Sequence, residues 1–177
     1  MEKRNWPKTL LMPAVISDTT VLNYLARIGQ FGLLHLEFQQ VLIPPAVFTE
    51  LQRRPDLPGA ECARQALADG WLELRSPKNL NVVDALRVTL GAGESQAIAL
   101  AQEFASSLLL MDEAAGRNVA ERLHLNLMGT IGILLQARKS GIIPQLKPLL
   151  DDLMQHHGFR LSQKIYDDAL REAGELT

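Results

Sequence analysis

Short apolar runs alternate with amphipathic segments along most of the chain. The apolar runs predict five β-strands, at residues 14–17, 41–43, 71–74, 108–111 and 125–128. Helical patterns occupy residues 19–28, 46–53, 60–68, 80–90, 94–105 and 113–123, and a further helix is predicted from Thr130 to about residue 139. Strands that alternate with helices form parallel β-α-β units. The sequence therefore predicts a three-layer α/β/α fold with a parallel sheet of about five strands.

The C-terminal part, residues 142–177, is predicted to be a helical extension of the same single domain, which spans 1–177 with residues 1–12 as a short lead-in. Two apolar stripes indicate its helices, and Ser162 is a plausible N-cap of the second one. Amphipathic helices usually face a core, so we interpret both stripes as packing against the sheet. Docking on a protein partner is the alternative. The stripes consist of Ile143, Leu146, Leu149, Leu150 and Leu153, and of Leu161, Ile165, Ala169, Leu170 and Ala173.

Composition narrows the class of protein. A net charge of -2 without a run of Lys or Arg argues against a protein that coats nucleic acid, but not against a nuclease that binds phosphate through a metal. Cys62 is the only cysteine, so no internal disulfide can form, and we expect a reducing, cytoplasmic location. No stretch approaches the roughly 20 apolar residues that span a bilayer. Residues 10–16 faintly resemble a signal peptide, but Pro13 interrupts them and a buried strand is preferred.

Two aspartates directly follow predicted strands, Asp18 after residues 14–17 and Asp112 after residues 108–111. If these strands are neighbours, their ends lie about 4.8 Å apart and the carboxylates meet. Glu94 begins the predicted helix that precedes the strand at 108–111, and Glu50 follows the strand at 41–43. Gathered carboxylates repel each other unless a cation or a shared proton compensates. Oxygen ligands suit Mg²⁺ or Mn²⁺, whereas zinc fits poorly because no His/Cys cluster has useful spacing.

Each acid also has a purely structural explanation. Asp18 and Asp112 could be N-caps of the helices that follow them. Glu94 would be favoured by the helix dipole in a first turn, and Glu50 could face water. Thr130 is predicted to cap the helix after Gly129.

The residues around the acids leave further roles open. Arg117, about one turn after Asp112, could pair with the acids or contact phosphate, and Thr20 could cap a helix or bind a ligand. Glu113 is either an outer acid of the site or a solvent-facing residue. Other acid chemistries fit less well: a phosphatase Asp-x-Asp motif would need an acid where Thr20 stands, and no Gly-x-Ser-x-Gly elbow is present.

Several segments, in this order and spacing, make the chain resemble PIN-domain nucleases, in particular a prokaryotic branch related to the toxins of toxin–antitoxin modules. The resemblance covers Val15 to Glu175. It is carried by Val15-Ile16-Ser17-Asp18-Thr19-Thr20-Val21-Leu22, Ile43-Pro44-Pro45-Ala46-Val47-Phe48-Thr49-Glu50-Leu51, Gly91-Ala92-Gly93-Glu94-Ser95-Gln96-Ala97, Leu110-Met111-Asp112-Glu113 through Arg117, Gly129-Thr130-Ile131-Gly132-Ile133-Leu134, Gly158-Phe159-Arg160-Leu161-Ser162 and Ala173-Gly174-Glu175.

The resemblance implies a PIN-like fold and an Mg²⁺- or Mn²⁺-dependent endoribonuclease that hydrolyses RNA phosphodiester bonds. The implied catalytic acids are Asp18, Glu50, Glu94 and Asp112; Asp18, Glu94 and Asp112 would bind the metal, and Thr20 and Arg117 the substrate. Glu94 stands where many toxin members carry aspartate. A protein antitoxin and a second copy of the chain are the expected partners. The alternative is a PIN-like protein-interaction module without activity.

Overall fold

A parallel sheet of five strands forms the centre of the fold. The computed structural model describes residues 13–176. The strand order is β3-β2-β1-β4-β5, and all four neighbouring pairs are parallel. This confirms the predicted α/β fold with helices on both faces of the sheet. The strands are β1 (Ala14–Ser17), β2 (Val41–Ile43), β3 (Leu72–Leu74), β4 (Ser107–Leu110) and β5 (Asn126–Met128).

The helices follow the predicted order with one addition. The short helix α2 was not predicted, because Gly29 and Gly32 gave its surroundings the pattern of a loop. The predicted helix 94–105 begins two residues earlier and ends at Ala101, and the predicted lead-in 1–12 lies outside the described residues. The helices are α1 (Thr19–Arg27), α2 (Leu33–Phe38), α3 (Pro45–Gln52), α4 (Pro58–Ala68), α5 (Leu80–Leu86), α6 (Ala92–Ala101), α7 (Ala114–Arg122), α8 (Thr130–Lys139), α9 (Lys147–His156) and α10 (Gln163–Glu172).

Successive strand residues are buried on opposite faces of the sheet. Val15 packs into one apolar cluster with residues of α1, α8 and α9, whereas Ile16 packs into a second cluster with residues of α6. Strands covered on both faces carry continuous apolar sequence, which explains why β1 and β4 do not alternate with polar residues. Within residues 13–176, no helix is long and apolar enough to cross a membrane.

The C-terminal helices pack on the same face as α1. Leu150, Leu153 and Leu170 are buried in the cluster that contains Val15, as the predicted stripes require. Ile165 is 50% exposed, so its predicted place in the buried stripe is wrong. The buried residues of α10 are Ala169 and Leu170 in its second half, while Tyr166 in its first half packs partly buried against the same cluster.

Glu175 fixes the end of this helical extension. Its carboxylate accepts hydrogen bonds from the backbone N–H groups of Leu146 (2.7 Å) and Lys147 (2.8 Å) and from Nε of Arg138 (2.8 Å). Burial alone would raise the pKa of Glu175, but these three donors lower it below its usual value. One carboxylate thus joins the segment after α10 to α8 and to the start of α9.

Candidate metal centre

The two predicted aspartates follow the two central strands of the sheet. Ser17 is in register with Leu110, and the backbone N–H of Asp18 donates to the carbonyl oxygen of Leu110 at 3.0 Å. The strand order reverses between β1 and β4. The strands β2 and β3 lie on one side of β1, and β4 and β5 lie on the other. Ligands of open α/β sheets bind beyond the carboxyl ends of the strands at such a point.

Asp18 divides its two carboxylate oxygens between two environments. The residue is 1% exposed, and Oδ1 accepts hydrogen bonds from the N–H groups of Thr20 and Val21, both at 3.1 Å. The N-cap explanation is therefore correct for one oxygen. Oδ2 is buried and has no hydrogen-bond partner among the described residues. A buried carboxylate oxygen without a hydrogen-bond partner destabilises the folded protein. A hydrogen-bond donor or a cation at this oxygen would remove that cost.

The surroundings of Asp18 disfavour its charge. Burial is the main cause that raises its pKa well above the usual value, and the negative charges of Asp112 and Glu94 raise it further. Hydrogen bonds from Val21 and Thr20 oppose this shift only in part. The charges of Asp112 and Glu94 therefore act on Asp18, and carboxylates gathered in this way repel each other unless a cation or a shared proton compensates.

Glu94 repeats the division seen in Asp18. It lies in the first turn of α6, and its Oε2 reaches back to accept the N–H of Gly91 at 3.0 Å. This is the carboxylate half of a capping box. Its Oε1 is buried without a hydrogen-bond partner among the described residues. Asp18 and Glu94 therefore each use one oxygen to begin a helix and leave the other unpaired.

Asp112 does not cap the helix that follows it, contrary to the structural explanation. The residue at the N-cap of α7 is Glu113, and Asp112 instead receives two hydrogen bonds from Thr130, from N–H to Oδ1 (2.9 Å) and from the hydroxyl to Oδ2 (2.6 Å). The carboxylate therefore sits at the positive end of α8. Thr130 was predicted to cap α8, but the N-cap is Gly129 and the Thr130 hydroxyl is used by Asp112.

The pKa of Asp112 is raised, and its causes partly cancel. Burial raises it, while the two hydrogen bonds from Thr130 and the positive charge of Arg117 lower it. Arg117 itself donates from Nη1 to the carbonyl oxygen of Met111 at 2.8 Å. The structure therefore places this arginine on the backbone at the end of β4, within electrostatic reach of Asp112.

Glu50 connects three segments around the site. Its Oε2 accepts the hydroxyl of Thr19 at the start of α1, and its Oε1 accepts the N–H of Gly93 at 2.8 Å in the first turn of α6. Both oxygens are thus partnered, in contrast to those of Asp18 and Glu94. Glu50 does not simply face water, and its contacts are those of a residue that positions α1 and α6.

Three glycines allow acids of the site to approach the backbone, and at one of them, Gly129, a Cβ would lie 2.6 Å from Oδ1 of Asp112. A Cβ on Gly93 would lie 2.5 Å from Oε2 of Glu50, and a Cβ on Gly116 would lie 2.7 Å from Oε1 of Glu94. Real Cβ atoms essentially never come this close to another atom, so all three carboxylates occupy space that only glycine leaves free. Gly116 was not predicted to belong to the site. A glycine inside the amphipathic pattern of α7 is the signal that points to such a close approach.

Thr20 lies at the edge of the acids and lines a cleft of about 370 Å³ with Asp112. Its backbone N–H is used by Asp18, while its side chain contributes to the wall of the cleft. Thr20, which is predicted to bind the substrate, therefore borders an open cleft beside Asp112. Whether it contacts substrate stays a prediction.

The acids do not form a complete cage for a metal ion. Among residues 13–176, no three Asp, Glu, His or Cys side chains lie close enough together to hold one ion by themselves. Mg²⁺, however, is usually bound by one or two carboxylates and keeps several water ligands. The unpaired oxygens of Asp18 and Glu94 fit that requirement, and their carboxylate chemistry suits Mg²⁺ or Mn²⁺ rather than zinc.

Comparison with known protein families gives one match. Residues 14–175 match the family described as the PIN domain, which covers nearly the whole chain. A search of curated proteins found no match to the chain.

Proposed function

The chain belongs to the PIN-domain family, and from this premise we propose that it is an Mg²⁺- or Mn²⁺-dependent endoribonuclease that hydrolyses phosphodiester bonds of RNA. PIN domains are generally nucleases that bind nucleic acid and use divalent metals. One observation carries the proposal for this chain. Within residues 13–176, Asp18 and Glu94 each leave one buried oxygen without a hydrogen-bond partner at the point where the strand order reverses.

Asp18 and Glu94 would hold the metal through these unpaired oxygens. Asp112, the third predicted ligand, would act through a water ligand of the metal, because the described residues do not bring three acids close enough to hold one ion by themselves. A bound Mg²⁺ or Mn²⁺ neutralises charge on phosphate and lowers the pKa of its bound water. The carboxylates need such a cation for a second reason, because without it they would repel the phosphate group of RNA.

The other residues of the site keep this arrangement in place. Glu50 fixes the starts of α1 and α6, from which Asp18 and Glu94 extend, and is proposed as the supporting acid of the quartet. Thr130 keeps the carboxylate of Asp112 oriented toward the site and favours its charged form. Thr20, on the cleft wall, and Arg117, near Asp112, are proposed to contact the RNA.

A cleavage assay tests this function. The wild-type protein is expected to cut labelled RNA with Mg²⁺ or Mn²⁺ and to stop when the metal is chelated. Asp18→Asn should lower the rate by at least about 100-fold, since it removes a metal ligand. Asp84→Asn, a matched change of an exposed aspartate on α5, should leave the rate unchanged. Cleavage that continues in chelator, or that survives Asp18→Asn, contradicts the mechanism, and absence of cleavage with either metal supports the inactive interaction module.

We further propose that the protein is cytoplasmic and acts as the toxin of a toxin–antitoxin module, as a homodimer that a protein antitoxin inhibits. The segments that resemble the toxin-related branch support this assignment. Expression of wild-type protein should arrest growth, and Asp18→Asn should relieve the arrest. For the dimer, light scattering should give twice the 19.6 kDa mass of one chain at micromolar concentration, and a mass of one chain would refute it.

A further inference from the structure

A cleft opens directly beside the candidate metal centre. It is bounded by Thr20 and Tyr24 of α1, by Asp112 and Glu113 after β4, and by Gly158, Phe159 and Arg160 after α9. The segment with Phe159 and Arg160 has no part in the acidic centre described above. The fold nevertheless brings it from the C-terminal extension to the edge of that centre.

We propose that this cleft binds one unpaired nucleotide of single-stranded RNA next to the bond that is cleaved. The position of this nucleotide beside the cleaved bond rests on the proposed nuclease activity. The base would contact the aromatic wall formed by Tyr24 and Phe159. The adjoining phosphate would contact Arg160.

The aromatic wall consists of two rings held in a fixed arrangement. The centroids of Tyr24 and Phe159 lie 4.9 Å apart with an angle of 88° between the rings. Both side chains are only partly buried, so the wall of the cleft includes ring surface that a base can contact. The hydroxyl of Tyr24 has no hydrogen-bond partner among the described residues and remains available to a base or ribose.

The backbone places Phe159 in the wall. After the end of α9, Gly158 adopts φ +70°, and the N–H of Phe159 donates to the carbonyl oxygen of Leu153 at 3.0 Å. A glycine in the left-handed region commonly ends a helix, but this bond spans six residues, one more than in the usual glycine cap, and it returns the chain to α9. Phe159 is therefore positioned before any ligand binds, which reduces the ordering cost of binding.

Arg160 supplies positive charge without a protein partner. It is exposed and forms no ion pair or side-chain hydrogen bond among residues 13–176. Burial and the charges of Asp112 and Glu113 raise the pKa of Tyr24, whereas the charges of Arg27 and Arg160 oppose that rise. The guanidinium of Arg160 thus lies within electrostatic reach of Tyr24, and the residue lines the same cleft as Asp112. A free arginine in that position suits the phosphate of a nucleotide, which arginine binds in a bidentate manner.

The size and shape of the cleft favour a single strand over a duplex. Its volume of about 370 Å³ lies near the lower end of the roughly 300–1,000 Å³ of small-molecule sites, which suits one nucleotide rather than a double helix. Bases of an RNA duplex are stacked and paired, whereas unpaired bases can turn out and stack on aromatic side chains.

Binding of a labelled RNA single strand, measured by fluorescence anisotropy at several salt concentrations, tests the cleft. All proteins would carry Asp18→Asn so that the RNA is not cut. Added Phe159→Leu and Arg160→Gln should each weaken binding about tenfold, within the range expected for a lost stacking or phosphate contact. Arg160→Gln should also reduce the slope of log affinity against log salt by about 0.7. A duplex of the same sequence should bind more weakly and be unaffected by Phe159→Leu.

Two matched changes serve as controls. Phe104→Leu alters a partly buried ring that borders a different cleft, and Arg122→Gln removes an exposed charge in the last turn of α7. Both should bind RNA within about twofold of the parent, well below the tenfold loss expected at the cleft. If Phe159→Leu does not fold, Arg160→Gln alone decides, because an exposed side chain can be changed without loss of the core.

The outcomes separate this inference from the nuclease function. Binding that is unchanged by both cleft variants overturns the cleft, even if the wild-type protein cleaves RNA with Mg²⁺. Absence of single-strand binding by the parent also overturns it. Binding that both variants weaken supports the cleft, even if the wild-type protein cuts nothing, in which case only the nuclease function fails.

Discussion

Thr130 holds Asp112 with two hydrogen bonds, one from its backbone N–H at 2.9 Å and one from its hydroxyl at 2.6 Å. Thr130 is fully buried at the start of α8, eighteen residues after the aspartate at the end of β4. These bonds connect the segment after β4 to the start of α8. They also favour the charged form of Asp112 against the effect of burial.

Thr130→Val should raise the pKa of Asp112, because it removes the hydroxyl donor while keeping the shape of the side chain. The folded protein should lose about 1–2 kcal/mol, since an acceptor that was paired is left buried. The acid limb of the pH–rate profile for RNA cleavage should move to higher pH, which rate measurements between pH 5 and 8 would detect. Thr130→Ser keeps the hydroxyl and should retain the wild-type limb. An unchanged limb in Thr130→Val would show that Asp112 does not control it.

Asp18→Asn should stabilise the metal-free protein by about 1–2 kcal/mol near neutral pH, a common size for the release of a strained functional site. Asparagine keeps an oxygen for the N–H groups of Thr20 and Val21 but carries no buried charge. Because the folded-state pKa of Asp18 is raised, its favourable contribution is complete below the unfolded pKa of about 3.9 and is lost as pH rises through the folded pKa. Urea unfolding in chelator from pH 4 to 8 measures both effects.

Divalent metal should reverse this order of stability. Mg²⁺ or Mn²⁺ should raise the urea midpoint of the wild-type protein, because a ligand that binds only the folded state stabilises it. The same addition should leave Asp18→Asn unchanged. In chelator, a free energy of unfolding that depends less on pH in the wild type than in Asp18→Asn would show that burial does not disfavour the charged form of Asp18.

Gly116→Ala should weaken metal binding while leaving the fold intact. The added methyl group would overlap Oε1 of Glu94 and Sδ of Met111, which are both at the flexible ends of side chains and can move away. We expect metal affinity, measured by calorimetry, to fall about tenfold, comparable to the loss of a residue that orients a ligand. Gly132→Ala, another glycine within a helix, meets only the side chain of Met128 and should bind metal normally. Unchanged affinity in Gly116→Ala would exclude Glu94 Oε1 as a metal ligand.

The fold was predictable because its signals are local. The strands β1, β2 and β4 are largely continuous apolar runs, and Pro13 before β1 and Pro44 after β2 mark two of the turns. Placing Asp18 and Asp112 at one edge needed only the parallel pairing of β1 with β4. The cap formed by Asp18 was likewise local, since its donors are the next two to three residues.

The partners of the acids were not predictable, because they lie far apart in sequence. Thr130 meets Asp112 across 18 residues, and Thr19 meets Glu50 across 31. A threonine after a glycine has the ordinary pattern of a helix start, and nothing in the sequence distinguishes a hydroxyl that caps its own helix from one that holds another element. The prediction that Ile165 is buried was wrong for a related reason. An apolar stripe shows which face of a helix can be buried, but not how far along that face the neighbouring element covers it.

Glu175→Gln should destabilise the protein by about 1–3 kcal/mol, since it weakens three hydrogen bonds to one carboxylate. The folded-state pKa of Glu175 is lowered, so its stabilisation is present above the unfolded pKa of about 4.3 and is lost as pH falls through the folded pKa. Urea unfolding at pH 7 and at pH 3 would show a difference between wild type and variant that shrinks in acid. Glu172→Gln breaks only the exposed pair with Lys139 and should cost less than about 1 kcal/mol. Equal losses in the two variants would contradict the role given to Glu175.

If Asp18 and Glu94 together bind a divalent cation, diffraction from crystals soaked in MnCl₂ will locate the metal at these two residues. An anomalous peak within about 2.3 Å of Asp18 Oδ2 and Glu94 Oε1, with water completing the coordination, is the expected result. Asp18→Asn crystals soaked in the same way should show no peak there. A wild-type map without manganese at these two oxygens, or with manganese bound only elsewhere, would contradict the account.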